Sequence, residues 1–271
     1  MPGKKQLALG LLIVVGLVLL FFTGQIPGSG KDITGDNPPT TPGNTTIESF
    51  ARAKQILLAD IYADRDATFY CGSAFSQNKT VSHQTSGYRP FDPNDERAYR
   101  LEWEHVVPAS AFGQSFKAWR DGHPKCVDDN GAPFHGRECA RLASPKFRLM
   151  EADMVNLVPA IGEVNRMRSN YSFALIPGEP RAFGRCNIEI EDRKVEPPDN
   201  RFGDIARIYR YMDSVYPGHG IISDKNKALF ESWARLDPVD RWECERAKRI
   251  EAIQKNENQV VKAACQQAEM W

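Results

Sequence analysis

Apolar residues enter the chain as one unbroken block, from Leu7 to Phe22, behind Lys4 and Lys5. A positive start followed by an apolar run is the pattern of an export signal. The block is long for such a signal and short of the ~20 residues that span a bilayer comfortably. Residues 1–24 are therefore expected to be a cleaved signal peptide or an uncleaved N-terminal membrane anchor. Residues 25–44 are rich in Gly, Pro, Thr and Asn and have almost nothing to bury, so they read as a disordered linker.

A different pattern starts at Thr45. Ile47, Phe50, Ile56, Leu57 and Ile61 fall on one face of a helix, and Thr45 with Glu48 has the spacing of a capping box, so a helix is expected to about Ala63. Residues 68–87 read as a short strand and loops, and 88–96 as turns. Arg100 to Pro108 (RLEWEHVVP) reads as a strand stopped by its proline, and 109–120 as a short helix or turn. Residues 121–148 are polar and loop-like. In the stretch from Met150 to Asn170, Pro159 suits the first turn of a helix carrying Ile161, Val164, Asn165 and Arg168. Phe183 to Ile190 alternates like a strand. Three amphipathic helices follow, around Ile205–Tyr216, after Ser223, and from about Val239 to Gln254. The expected fold class is α+β: one mixed domain over 45–271, helix-rich in its last third. The chain shows no internal repeat and no Gly-rich phosphate loop.

Charge adds little. Lys plus Arg number 35, as do Asp plus Glu, so net charge demands neither a nucleic-acid nor a membrane partner. Cysteine adds more. All six, Cys71, Cys126, Cys139, Cys186, Cys244 and Cys265, lie in the exported part, and no Cys-x-x-Cys pair suggests zinc. Three disulfides are expected. Proximity favours Cys126 with Cys139 and Cys244 with Cys265, leaving Cys71 with Cys186, a pairing the sequence does not settle.

The chemistry centres on Glu104-His105. A carboxylate can hold a hard cation, and an imidazole can take a proton. Asn165 offers a second oxygen donor. Oxygen ligands without thiols or clustered imidazoles favour Mg²⁺, or Mn²⁺ or Ca²⁺, over Zn²⁺. One difficulty is geometric: neighbours on a regular strand point to opposite faces. His83, His123, His135 and His219 have no such context and read as surface or loop residues. Glu163 reads as a helix-surface charge. Arg166 and Arg168 are either solvated or facing a polyanion.

The segments RLEWEHVVPA and MEADMVNLVPAIGEVNRMRSNY resemble the bacterial endonuclease I family of periplasmic and secreted nucleases, in the His-Me finger (ββα-metal) class. The likeness extends to FYCG at Cys71, FGRC at Cys186, RIYRYM after the Pro197-Pro198 turn and WEC at Cys244. It covers about 47 to 265. The resemblance implies that His105 is the general base and that Glu104 and Asn165 hold the metal. It also implies that Glu151 is a site-adjacent carboxylate and that an Arg holds the cleaved phosphate. Arg120, Arg137 and Arg141 are the candidates, with Arg137 preferred; Lys125 lacks the bidentate fork. The implied function is a largely non-specific, metal-dependent endonuclease acting on DNA, with RNA as a second substrate, as a periplasmic or secreted monomer. It would touch a membrane only through an uncleaved N-terminus. The competing expectation is a disulfide-stapled nucleic-acid-binding module without catalysis. A zinc hydrolase is weakened by the scarcity of nearby His and Cys.

Overall fold

Asn44 sets where the packed chain begins. In the computed structural model of the protein, which describes residues 42–178 and 181–271, its side chain is only 2% exposed. Asn44 Oδ1 accepts from the amides of Thr46 and Ile47, and its Nδ2 donates to Leu149 O at 2.8 Å. An Asx turn thus occupies the place expected for a Thr45–Glu48 capping box and pairs the amides of Thr46 and Ile47. The helix cap moves downstream to Ser49, whose Oγ accepts from Arg52 N at 3.2 Å. Helix α1 (Phe50–Ile56) follows and widens into a π turn over Leu57–Ile61. The expected export segment and nearly all of the expected linker lie outside the described residues.

Two short strands, β1 (Ala74–Phe75) and β2 (Val81–Ser82), pair antiparallel. A 3-10 turn over Glu96–Tyr99 leads into β3 (Leu101–His105). Helices α2 (Ala109–Gly113) and α3 (Lys117–Arg120) realise the short helix expected there. The polar stretch 121–148 is a loop only as far as Gly136. Helices α4 (Arg137–Ala143) and α5 (Pro145–Glu151) then form, burying Cys139, Ala140, Phe147 and Met150. Ser144 caps α5 and Pro145 opens it, a start signal that the surrounding charges obscured.

Strand β4 (Leu157–Ile161) pairs antiparallel with β3, with Trp103 opposite Pro159 and His105 opposite Leu157. Pro159 is therefore inside a strand, not in a helix first turn. Its carbonyl accepts from Phe69 N at 2.7 Å, outside the β3–β4 ladder. Its backbone nitrogen faces that same outer side, so the missing N–H removes no ladder bond. Helix α6 (Gly162–Arg168) starts only after the five buried residues of β4. The strand expected over Phe183–Ile190 is cut short, because Gly184 takes a positive φ of 67°. What remains is a three-stranded sheet of β5 (Ser172–Phe173), β6 (Glu189–Glu191) and β7 (Lys194–Glu196) in the order β5-β7-β6.

The last third is helical: α7 (Phe202–Val215), α8 (Asp224–Leu236), α9 (Arg241–Gln254) and α10 (Gln259–Gln267), the last unexpected. Phe202 stacks on Trp233 at 4.3 Å between ring centres, joining α7 to α8. Buried polar groups fix the approach to β4. Asp153 accepts from Tyr211, Tyr216 and Gln254 at 2.9, 2.7 and 2.9 Å. Arg246 donates to the carbonyls of Met154 and Leu157. The disulfides are Cys71–Cys186, Cys126–Cys139 and Cys244–Cys265. The fold is α+β as expected. Among the described residues, no helix is long and apolar enough to cross a membrane.

Candidate active site

The pleat of β3 sorts its side chains. Glu102 and Glu104 share one face, with Leu101, Trp103 and His105 on the other. The strand then stops, and Asn156 holds the exit. Its Oδ1 accepts from Val107 N at 2.7 Å and its Nδ2 donates to Val107 O at 2.9 Å, while Val106 N donates to Asn156 O at 3.0 Å. Sequence reading passed over Asn156, which looks like any polar residue beside a strand.

His105 is 9% exposed, with the Phe50 ring 4.9 Å from its own. Its Nε2 lies 2.8 Å from the Glu151 carbonyl oxygen. A carbonyl only accepts, so Nε2 carries the proton and Nδ1 is left as the lone-pair nitrogen. Burial, then the nearby Arg137 charge, pushes the imidazole pKa down to about 4. The ring is therefore neutral at ordinary pH.

Glu151 meets His105 through its backbone rather than its carboxylate. The carboxylate accepts from Arg137 Nε at 2.5 Å and Arg141 Nε at 2.6 Å. Burial would raise its pKa, but the two guanidinium groups outweigh burial and hold it below the usual range. Arg137 Nη2 is buried and has no hydrogen-bond partner among the described residues. Arg141 is further engaged by Glu138, and Arg120 donates to Gln114 O.

Glu104 is 1% exposed. Its Oε1 accepts from Tyr70 O–H at 2.8 Å and lies 3.2 Å from Arg168 Nε. Its Oε2 is buried and has no hydrogen-bond partner among the described residues. Burial pushes the carboxyl up to about 7 against the pull of Arg168 and the Tyr70 hydroxyl. Arg168 is neither solvated nor outward-facing: it donates to the carbonyls of His105 and Val106. Glu163 is likewise buried, not a surface charge, because Tyr88 O–H and the amides of Phe91 and Asp92 donate to it. Arg166 is exposed and pairs with Asp95 at 2.6 Å.

Asn165 sits on α6 with its Nδ2 2.8 Å from Glu102 Oε2. His105, Asn165, Arg137 and Glu102 line one open cleft of about 550 Å³, together with Lys54, Lys79 and Trp119. Glu104 and Glu151 lie behind this lining. A smaller cavity of about 40 Å³ among Tyr62, Arg201, Trp242 and Arg246 holds no imidazole.

For a metal, the donors present are Glu104 Oε2 and the Asn165 amide oxygen. Among the described residues, no group of three or more His, Cys, Asp or Glu is arranged to hold one. Two oxygen donors fit Mg²⁺, which keeps most of its waters, and the orphaned Glu104 Oε2 is an acceptor that a cation would satisfy.

A sequence model of the family described as Endonuclease I matches residues 44–265. An "Extracellular deoxyribonuclease" of Aeromonas hydrophila is 41% identical over 226 residues, 81% of this chain and 90% of that protein. A "Periplasmic deoxyribonuclease" of the same organism is 40% identical, covering 81% and 87% of the two chains. An "Endonuclease-1" of Buchnera aphidicola subsp. Acyrthosiphon pisum is 38% identical, covering 81% and 83%. With a family match over most of its length and relatives near 40% identity, this chain belongs to the Endonuclease I family.

Proposed function

We propose that this protein is a Mg²⁺-dependent endonuclease that hydrolyses the phosphodiester bonds of DNA, and of RNA as a second substrate, with little sequence preference. The single observation that carries this reading is the tautomer of His105, which leaves Nδ1 as the lone-pair nitrogen of a ring that lines a cationic cleft. The order antiparallel strand, antiparallel strand, helix (β3, β4, α6) is the arrangement expected of the ββα-metal class. The names of the relatives add support for DNA as substrate and for a periplasmic or extracellular location.

In the proposed reaction His105 Nδ1 takes a proton from a water. The Glu151 carbonyl anchors Nε2–H and keeps the ring turned for that transfer. The water oxygen attacks phosphorus as the bond to the 3′-oxygen breaks, and the departing 3′-oxygen takes a proton from solvent, leaving 5′-phosphate and 3′-hydroxyl ends. Glu104 and Asn165 would hold Mg²⁺, or Mn²⁺ or Ca²⁺ in its place, which when bound supplies positive charge at the phosphate and the departing oxygen. Arg137 is the residue for the cleaved phosphate. Glu151 fixes its Nε, and its guanidinium, which lines the cleft, carries N–H donors of the kind that hold a phosphate oxygen. Lys54 and Lys79 line the same cleft and suit contacts to the flanking backbone, which position a polyanion without reading bases.

The test is nicking of supercoiled plasmid with Mg²⁺ or with chelator, followed by ligation without prior kinase treatment. Metal-dependent nicks that reseal directly are expected, with activity lost in Glu104→Ala. Cutting that persists in chelator, or ends that ligase cannot seal, would contradict the reading.

A further inference from the structure

Glu102 is a carboxylate in the cleft lining with four hydrogen bonds, and the reaction proposed above gives it no part. Its Oε1 accepts from Arg97 Nε at 2.9 Å and from Arg100 Nη2 at 2.9 Å. Its Oε2 accepts from Arg97 Nη2 at 2.6 Å and from Asn165 Nδ2 at 2.8 Å. Room for this carboxylate comes from Gly162 at the start of α6: a Cβ built there would fall 2.9 Å from Glu102 Oε1 and 2.8 Å from Arg97 O. Two guanidinium groups, a glycine and an asparagine therefore converge on one side chain.

The Asn165 bond has a consequence for the amide. A carboxylate only accepts, so the NH₂ end of Asn165 must face Glu102 and the oxygen end must face away from it. An asparagine free to turn would present nitrogen and oxygen about equally, and nitrogen cannot ligate a hard cation. We propose that Glu102 is the positioning residue that holds Asn165 with its carbonyl oxygen toward the cation site, and that Arg97, Arg100 and Gly162 hold Glu102 for that purpose. This rests on the metal-dependent reading above. It concerns the carboxylate two residues before the one assigned as ligand, and it acts on α6 across the β3–α6 contact. An outer group that orients a ligand in this way changes metal affinity roughly 10–100-fold when removed.

The experiment measures Mn²⁺ binding by electron paramagnetic resonance, on the whole protein without DNA, for wild type, Glu102→Ala and Glu102→Gln. Plasmid nicking against Mg²⁺ concentration is measured in parallel. The expected result is a Kd for Mn²⁺ raised roughly 10–100-fold in Glu102→Ala, with the nicking rate recovered at saturating Mg²⁺. Glu102→Gln, which keeps one acceptor for Asn165, should fall between the two. A measurement on the wild type does not depend on how a variant folds. In the metal-free protein, the Asn165 side-chain NH₂ should be protected from solvent exchange, and it should stay protected when metal binds through the oxygen. An unchanged Mn²⁺ Kd in Glu102→Ala, or an Asn165 amide that exchanges freely, would overturn the inference while wild-type cutting stood. A wild type that neither binds Mn²⁺ nor cuts would overturn the metal-dependent reading and this inference with it.

Discussion

In the proposed reaction, what suits His105 to act as the base is the group that holds its other nitrogen. The Glu151 carbonyl fixes Nε2–H, and burial with Arg137 keeps the ring uncharged. In metal-free protein, NMR titration should give His105 a pKa of about 4. The sign follows from linkage. The unfolded chain, with a His pKa of ~6.5, binds more protons than the folded one in the window between the two values. The stability that His105 contributes is thus fully present above that window and is lost as pH falls through it to the folded value. A titration midpoint at the ordinary imidazole value would show that the ring is not held as described. The residue identities at this site were legible from RLEWEH and GEVNR, since Glu104, His105 and Asn165 announce their chemistry by type. Their environments were not. Arg168 and Glu163 read as surface charges because a sequence shows a charge but not the backbone carbonyls that accept from Arg168, or the Tyr88 hydroxyl and backbone amides that donate to Glu163. The surroundings of Glu102 were not legible because Asn165, on α6, lies 63 residues along the chain from it.

At the scale of elements, the site depends on where β3 stops. Neighbouring strand side chains diverge, and the structure keeps that divergence: Glu104 goes under α6 while His105 stays on the opposite face at the strand's last position. Asn156 then turns the chain with two side-chain bonds to Val107. Asn156→Ala leaves the buried N–H and C=O of Val107 unpaired, so urea unfolding should show a loss of about 2–6 kcal/mol, at roughly 1–3 kcal/mol for each unpaired group. A loss below about 0.5 kcal/mol, the range of ordinary surface substitutions, would remove Asn156 from this role. The long amphipathic helices α7, α8 and α9 were legible because their apolar period runs for three turns or more. The short elements were not. Five buried residues ending in a helix start look alike as strand or helix, so Pro159 pointed to the wrong one. Helices α4 and α5 hid in a charged stretch because each is only seven residues long.

For the whole molecule, zero net charge conceals an uneven distribution. Lys54, Lys79, Arg137 and Arg168 surround the cleft, and Lys54 is held below its usual pKa by burial and by the neighbouring cations. Acidic groups elsewhere balance the total. Binding of a non-cleaved DNA duplex in chelator should weaken in Lys54→Ala and Lys79→Ala alike for all sequences. The slope of log K against log salt should become shallower by about one unit per lysine that contacts phosphate. An unchanged slope would place the backbone away from these lysines. The disulfides were legible as a set because short separations favoured two of the pairs. The Cys71–Cys186 bridge, across 115 residues, followed only by elimination.

The most direct measurement is the single-turnover rate of plasmid nicking by His105→Ala at saturating Mg²⁺, beside wild type, with and without added imidazole. Loss of the base should slow the reaction roughly 10²–10⁴-fold, and free imidazole should restore part of it. A His105→Ala protein that is folded and cuts at the wild-type rate would contradict the assignment of His105 as the group that takes the proton.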